Sequence, residues 1–259
     1  MPRTGFLLLT LLLAGMALPA QAQMAHGAMD NNAPASGDPA SAAPFGPPVT
    51  DEHIYYHLLF DQLEGRFGAD AAFRWQGQAW AGTDENRVRL RSEGFVSRGE
   101  VDDGQQELFY SRAISTFFDA QIGARYDLDS KPGRGWGAIG IEGLAPLFFH
   151  VSATGYISGE GRLAAKLEGS YDLLLTQRLI LQPQAEMNFY SLSDPARGIG
   201  SGLSELDAGL RLRYEITRKI APYVGVSYTG LYGGTGDFAR AAGAPANEVR
   251  FVIGLRTWL

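Results

Sequence analysis

The chain has 259 residues, a formal net charge of −6 and no cysteine. So mild an acidic balance argues against a nucleic-acid partner, and the absence of thiols excludes disulfides, thiolate metal centres and iron–sulfur chemistry. Lys131, Lys166 and Lys219 are the only lysines among 22 basic residues, so arginine dominates, and its planar fork suits fixed ion pairs better than a mobile ammonium does.

Residues 1–22 read as a secretory signal peptide. Arg3 supplies the positive start, residues 6–18 an apolar run too short to span a hydrocarbon core, and Ala20-Gln21-Ala22 a small-residue cleavage site. Residues 23–50 are rich in Ala, Pro, Gly, Asn and Ser and cannot bury enough apolar surface to offset their ordering entropy, so they are expected to form a disordered tether. That tether carries Met24, His26, Met29 and Asp30 close together. Thioether sulfur and imidazole suit Cu(I), imidazole suits Cu(II), and a flexible chain can wrap such an ion. His53 and His57 follow four residues apart; on a helical turn they would share a face and could chelate one metal. Tyr55 and Tyr56 between them equally suit an interfacial aromatic girdle.

From residue 51 the composition shifts to aromatics, glycine and alternating charge, and one domain runs to residue 259. No apolar stretch in it is long enough for a transmembrane helix, since Asp172, Gln177 and Arg178 interrupt the best candidates at 171–175 and 179–181. The period is two. Phe118, Ala120, Ile122, Ala124, Tyr126 and Leu128 alternate with Asp119, Gln121, Arg125 and Asp127; residues 163–173 and 206–216 repeat the pattern. About twelve strands are expected, near 58–67, 71–80, 87–97, 105–114, 118–128, 136–144, 148–157, 162–174, 179–191, 204–216, 220–230 and 249–259. The first alternates poorly. Short connections at 81–86, 115–117, 145–147, 175–177 and 217–219 alternate with longer ones at 98–104, 129–135, 192–203 and 231–248. Val249, Phe251, Ile253, Leu255 and Leu259 share one parity of the last strand, with Arg250 and Arg256 on the other. An all-β fold follows: a transmembrane, antiparallel, up-and-down β-barrel of the outer membrane, because an open sheet edge cannot be hydrated in lipid.

Acids and bases would then share the interior, among them Arg74, Arg89, Arg91, Glu93, Glu107, Glu142, Lys166, Glu168, Glu186, Arg211 and Arg213. The simplest reading is a cross-strand ion-pair ladder filling a narrow lumen; the other is a polar path for a small ion. His150, expected to face the lumen with Ser152 and Thr154, could serve a Ser–His–acid site, but no G-x-S-x-G elbow accompanies it, and a polar lumen residue is the plainer reading.

Whole segments carry a resemblance. LFYSRAI at 108–114, IGIEGLAP at 139–146, YDLLLTQRLILQP at 171–183, RGIGSGLSELDAGLRLRYEI at 197–216, APYVGV at 221–226 and DFARAAG at 237–243 resemble the outer-membrane copper resistance protein B family, over about 54–259. The resemblance implies a non-enzymatic β-barrel in the outer membrane of a Gram-negative cell, in contact with its lipid. It also implies a role in copper tolerance by binding, sequestering or exporting copper ions, alongside a periplasmic multicopper oxidase. The family often carries a Met/His/Asp-rich segment ahead of the barrel, reduced here to 24–30, and tends to end in Phe where this chain has Trp258-Leu259. Copper would be substrate rather than catalytic cofactor, with Met24, His26, Met29, His53 and His57 as its ligands. The competing readings are an outer-membrane lipid acyl hydrolase working through His150 and a structural or diffusion barrel.

Overall fold

A computed structural model describes residues 53–97, 99–128 and 133–259 of the chain. The segments expected to be a signal peptide and a tether, and with them Met24, His26 and Met29, lie outside the described residues. The strands are β1 (Tyr55–Phe67), β2 (Ala71–Gly82), β3 (Asn86–Ser97), β4 (Glu100–Ala113), β5 (Phe118–Asp127), β6 (Arg134–Ala145), β7 (Phe149–Ser158), β8 (Leu163–Ser170), β9 (Leu173–Leu174), β10 (Leu179–Tyr190), β11 (Gly202–Tyr214), β12 (Ile220–Leu231) and β13 (Asn247–Trp258). Among the described residues one α-helix, α1 (Gly233–Ala241), lies between β12 and β13.

Each strand pairs antiparallel with its neighbour in sequence, and β13 pairs with β1 from Leu59↔Trp258 to Phe67↔Phe251, which closes the sheet. β8 and β9 both lie on β10 and form one interrupted stave, so the closed barrel has twelve staves, as expected from the alternation. Closure leaves no unpaired edge, the condition for a sheet in lipid.

The distribution of side chains is inverted relative to a water-soluble protein. Ile139 is 68% exposed and Ile122 61%, whereas Arg66 is 0% and Arg211 1% exposed. Along β5, Gln121, Arg125 and Asp127 point into the lumen while Ile122 and Tyr126 point out. The apolar surface therefore faces the bilayer and the charges fill the interior. Phe109, Trp136, Ala138 and Tyr156 are buried inside as one apolar cluster. Gly123, opposite Phe109, leaves room for that ring: a Cβ there would lie 2.8 Å from Phe109 Cδ1.

Three departures from the expected pattern have local causes. The poor alternation of β1 reflects a bulge: Phe60 opposes Gly77 and Gln62 opposes Gln76, so Asp61 has no partner on β2. The inward parity passes from Leu59 before the bulge to Gln62, Glu64 and Arg66 after it. The loop expected at 98–104 is instead mostly strand, because β4 starts at Glu100; backbone pairing continues past the apolar band, where side-chain polarity no longer reports on it. The third is α1, inside the long loop 231–248. Gly233, Gly234 and Gly236 depress its intrinsic helicity, and tertiary contacts make up for it. Thr235 Oγ1 accepts a hydrogen bond from Gly200 N–H at 2.7 Å and lies 2.7 Å from Ser204 Oγ. A Cβ on Gly200 would come within 2.4 Å of Thr235 N, so this approach requires glycine.

The helix and the long 191–201 connection lie at one mouth of the barrel, the loop mouth. Short turns and the β1–β13 ends lie at the other, the terminal mouth.

Candidate functional site

Two cavities lie within the lumen. The larger, about 240 Å³, lies toward the terminal mouth; its lining includes Leu59, Asp61, Arg256, His150 and Asp172 and reaches Glu93, Lys166, Glu168 and Glu186 in mid-barrel. Seven carboxylates line it, from Asp61, Glu93, Glu107, Glu142, Glu168, Asp172 and Glu186, against the three cations of Arg91, Lys166 and Arg256. The smaller, about 50 Å³, lies toward the loop mouth and is lined by Arg74, Arg125, Asp127 and Glu205, with Arg197 and Ile199 from the connection above. That connection thus folds over the lumen. Asp194 anchors it through Arg134 at 2.9 Å and Arg162 at 3.7 Å, side chains from two neighbouring hairpins.

Much of the charge is paired across strands. Glu64 accepts from Arg66 Nε at 2.7 Å, from Arg211 Nε at 2.9 Å and Nη2 at 2.8 Å, and from the Tyr223 hydroxyl at 3.0 Å. Arg66 continues to Asp207, its Nη2 donating at 3.1 Å. Arg66 and Arg74 each place the guanidinium 4.9 Å from the centre of the Phe95 ring, so an aromatic face takes part of the charge. Glu142 holds Arg89, Arg91 and Gln121 together. The ion-pair ladder expected from the sequence is present.

In mid-barrel Glu93, Glu168 and Glu186 bring carboxylate oxygens within 4.8 Å of one another. Glu168 and Glu186 are direct cross-strand partners, an arrangement that costs free energy for like charges. The ammonium of Lys166 compensates: it contacts Glu93, lies 3.3 Å from Glu186 and 3.4 Å from Glu168. A compact ammonium with three donors suits three converging carboxylates as a planar guanidinium does not. The sequence marks Lys166 as a rare lysine among arginines, but Glu93 is brought to it across the lumen by closure of the barrel.

At the terminal mouth His57 does not share a helical face with His53. It lies in β1, and extended chain separates residues four apart by about 13 Å. Its imidazole instead stacks between two indoles, Trp80 at 6.1 Å and Trp258 at 5.5 Å. Arg87 and Lys219 stand over those indoles at 5.1 and 5.5 Å. Stacking occupies the faces of the imidazole, and the nitrogen lone pairs lie in its plane, so the ring can still act as a ligand at its edge. His150 lines the larger cavity beside Ser152 as expected, but Ser152 Oγ is buried without a hydrogen-bond partner, so these two side chains do not form a nucleophile–base pair.

The model of the family described as copper resistance protein B precursor matches residues 54–259, the whole barrel. The chain belongs to the copper resistance protein B family. Copper resistance protein B of Escherichia coli is 43% identical over 214 residues, spanning 82% of this chain and 72% of that one. The copper resistance protein B homolog of Pseudomonas syringae pv. tomato (strain ATCC BAA-871 / DC3000) is 43% identical as well, over 82% of this chain and 73% of its own. Among solved structures, the NanC porin superposes with a TM-score of 0.50 at 14% identity, covering 78% of this chain and 99% of that one. Membership of the copper resistance protein B family ties the chain to copper; the porin likeness concerns the fold alone and agrees with an outer-membrane β-barrel.

Proposed function

We propose that this barrel protects the cell against copper by drawing copper ions from the periplasm into its lumen, for sequestration or export, without catalysing a reaction. The observation that carries this reading is the acid-lined larger cavity, whose lining begins at Leu59, two residues along β1 from His57. It keeps an excess of about one negative charge even after Arg74, Arg89 and Arg213 behind its wall are set against Glu186, Glu142 and Asp172. A low-dielectric wall around such a cavity focuses the negative potential and raises the local concentration of cations. Family membership supports copper as the cation.

In this reading the terminal mouth faces the periplasm, where a multicopper oxidase would work alongside the barrel. Met24, His26 and Met29 on the tether collect the ion, soft sulfur and imidazole together accommodating both oxidation states. His53 and His57 receive it at the mouth, and the cavity carboxylates hold it beyond. His57 is already fixed between its two indoles, so binding there costs little side-chain entropy.

The test is a titration of Cu(I), then Cu(II), into refolded protein lacking residues 1–22 and into a truncation starting at residue 51. Binding lost with the tail makes residues 24–30 the site and the barrel its anchor. Binding that survives truncation and is lost on His53→Ala with His57→Ala places it at the mouth. A protein that binds neither ion in either form overturns the reading.

A further inference from the structure

Glu93 and Glu186 line both cavities, so they form the septum between them, and the ammonium of Lys166 lies within that septum. We infer that Lys166 is a tethered cation held among the three carboxylates of the septum, and that with the loop mouth open it is the residue deciding whether cations pass from one cavity to the other.

The geometry supports this in three ways. Three carboxylates whose oxygens lie within 4.8 Å cannot all stay ionised in a low-dielectric interior without a cation among them, and the lysine ammonium supplies it. Arg74 holds Glu186 from one side at 2.8 Å and Arg91 lies 3.8 Å from Glu168, so removing the ammonium leaves about one unit of negative charge facing the cavity. The acid-rich cavity leads from the terminal mouth to this point, so a cation drawn inward meets a site already filled by one of the protein's own groups. Rings of acidic side chains select cations in open pores; here the ring carries its counter-ion on a four-carbon stem. A small metal cation that reaches the three carboxylates binds there by taking the place of that ammonium. The inference does not depend on the ion being copper.

Potassium conductance tests it directly. Proteins are reconstituted in planar bilayers under a KCl gradient, all with residues 195–199 replaced by a glycine–serine linker so that the loop-mouth connection does not limit the current. With Lys166 in place the lumen should pass almost no current. Lys166→Ala should raise conductance about tenfold or more and give a reversal potential of cation selectivity. Lys166→Gln, which keeps a donor and loses the charge, should behave likewise and serves if the alanine protein fails to fold, folding being read from the heat-dependent gel mobility of the barrel. Adding Glu93→Gln and Glu186→Gln to Lys166→Ala should abolish the selectivity. A loop-replaced protein with Lys166 intact that already conducts at the level of the substituted ones overturns the inference, as does a folded Lys166→Gln protein that stays closed.

Discussion

Trp258 stacks on His57 with 5.5 Å between ring centroids and 20° between ring planes, across the seam where the last strand meets the first. The backbone closes the same seam, Leu58 N–H donating to Leu259 O at 3.1 Å and Leu259 N–H to Leu58 O at 2.8 Å. Trp258 is fixed from the other side by its indole N–H, which donates to Arg218 O at 2.6 Å. The ring that could serve as a metal ligand therefore also helps hold the barrel shut.

A double-mutant cycle on Trp258→Ala and His57→Ala should return a coupling of about 1 kcal/mol, the range of a stacked ring pair beyond its area burial. Urea unfolding of the barrel in detergent measures it. Coupling near zero would mean the two rings contribute to the seam independently.

Glu64→Gln should be among the most destabilising single changes in the lumen. It leaves the charges of Arg66 and Arg211 facing a neutral amide at a fully buried position. Breaking a buried ion pair from one side costs about 3–5 kcal/mol, against little for an exposed pair such as Arg240–Asp237. Unfolding midpoints of Glu64→Gln and Asp237→Asn should separate accordingly.

Asp194 should make closure of the loop mouth depend on acid. Burial pushes its carboxyl up, but the Arg134 guanidinium, with Arg162 and Arg197, outweighs burial and holds it below its ordinary 3.8. A carboxyl lowered in the folded state contributes stability that is complete above the unfolded value and is lost as pH falls through the folded one. The 191–201 connection should therefore resist proteolysis at neutral pH and at pH 5, and become cleavable by pepsin well below pH 3.8. Asp194→Asn should be cleaved at neutral pH by a protease of matching specificity while the barrel stays folded.

The outer face should tolerate charge least at mid-strand. Ile139 lies at the centre of β6 and is 68% exposed. Ile139→Arg should cost about 2–4 kcal/mol in a bilayer, as expected for arginine at the membrane midplane. The same substitution in a water-soluble sheet would cost almost nothing at so exposed a site, so unfolding from liposomes tells the two environments apart.

The sequence alone determined the barrel. Alternation at period two, with no apolar stretch after residue 50 long enough for a spanning helix, leaves closure as the way to pair every backbone group in lipid, and the twelve staves lie close to where the alternation places them. Local pattern failed where partners from elsewhere in the chain set the structure. The β1 bulge at Asp61 is defined by its register against β2 and β13, and α1 forms despite its glycines because Gly200 and Ser204 meet Thr235. The lumen charges were legible as a class, and Lys166 as an oddity among arginines, but not the septum. Glu93, Lys166 and Glu186 lie on β3, β8 and β10, and only curvature of the sheet into a closed wall brings β3 across to the other two. Alternation along one strand specifies which face a side chain takes; which charge it meets across the lumen is decided by closure, because a cross-lumen distance belongs to the whole ring of strands and to none of them singly.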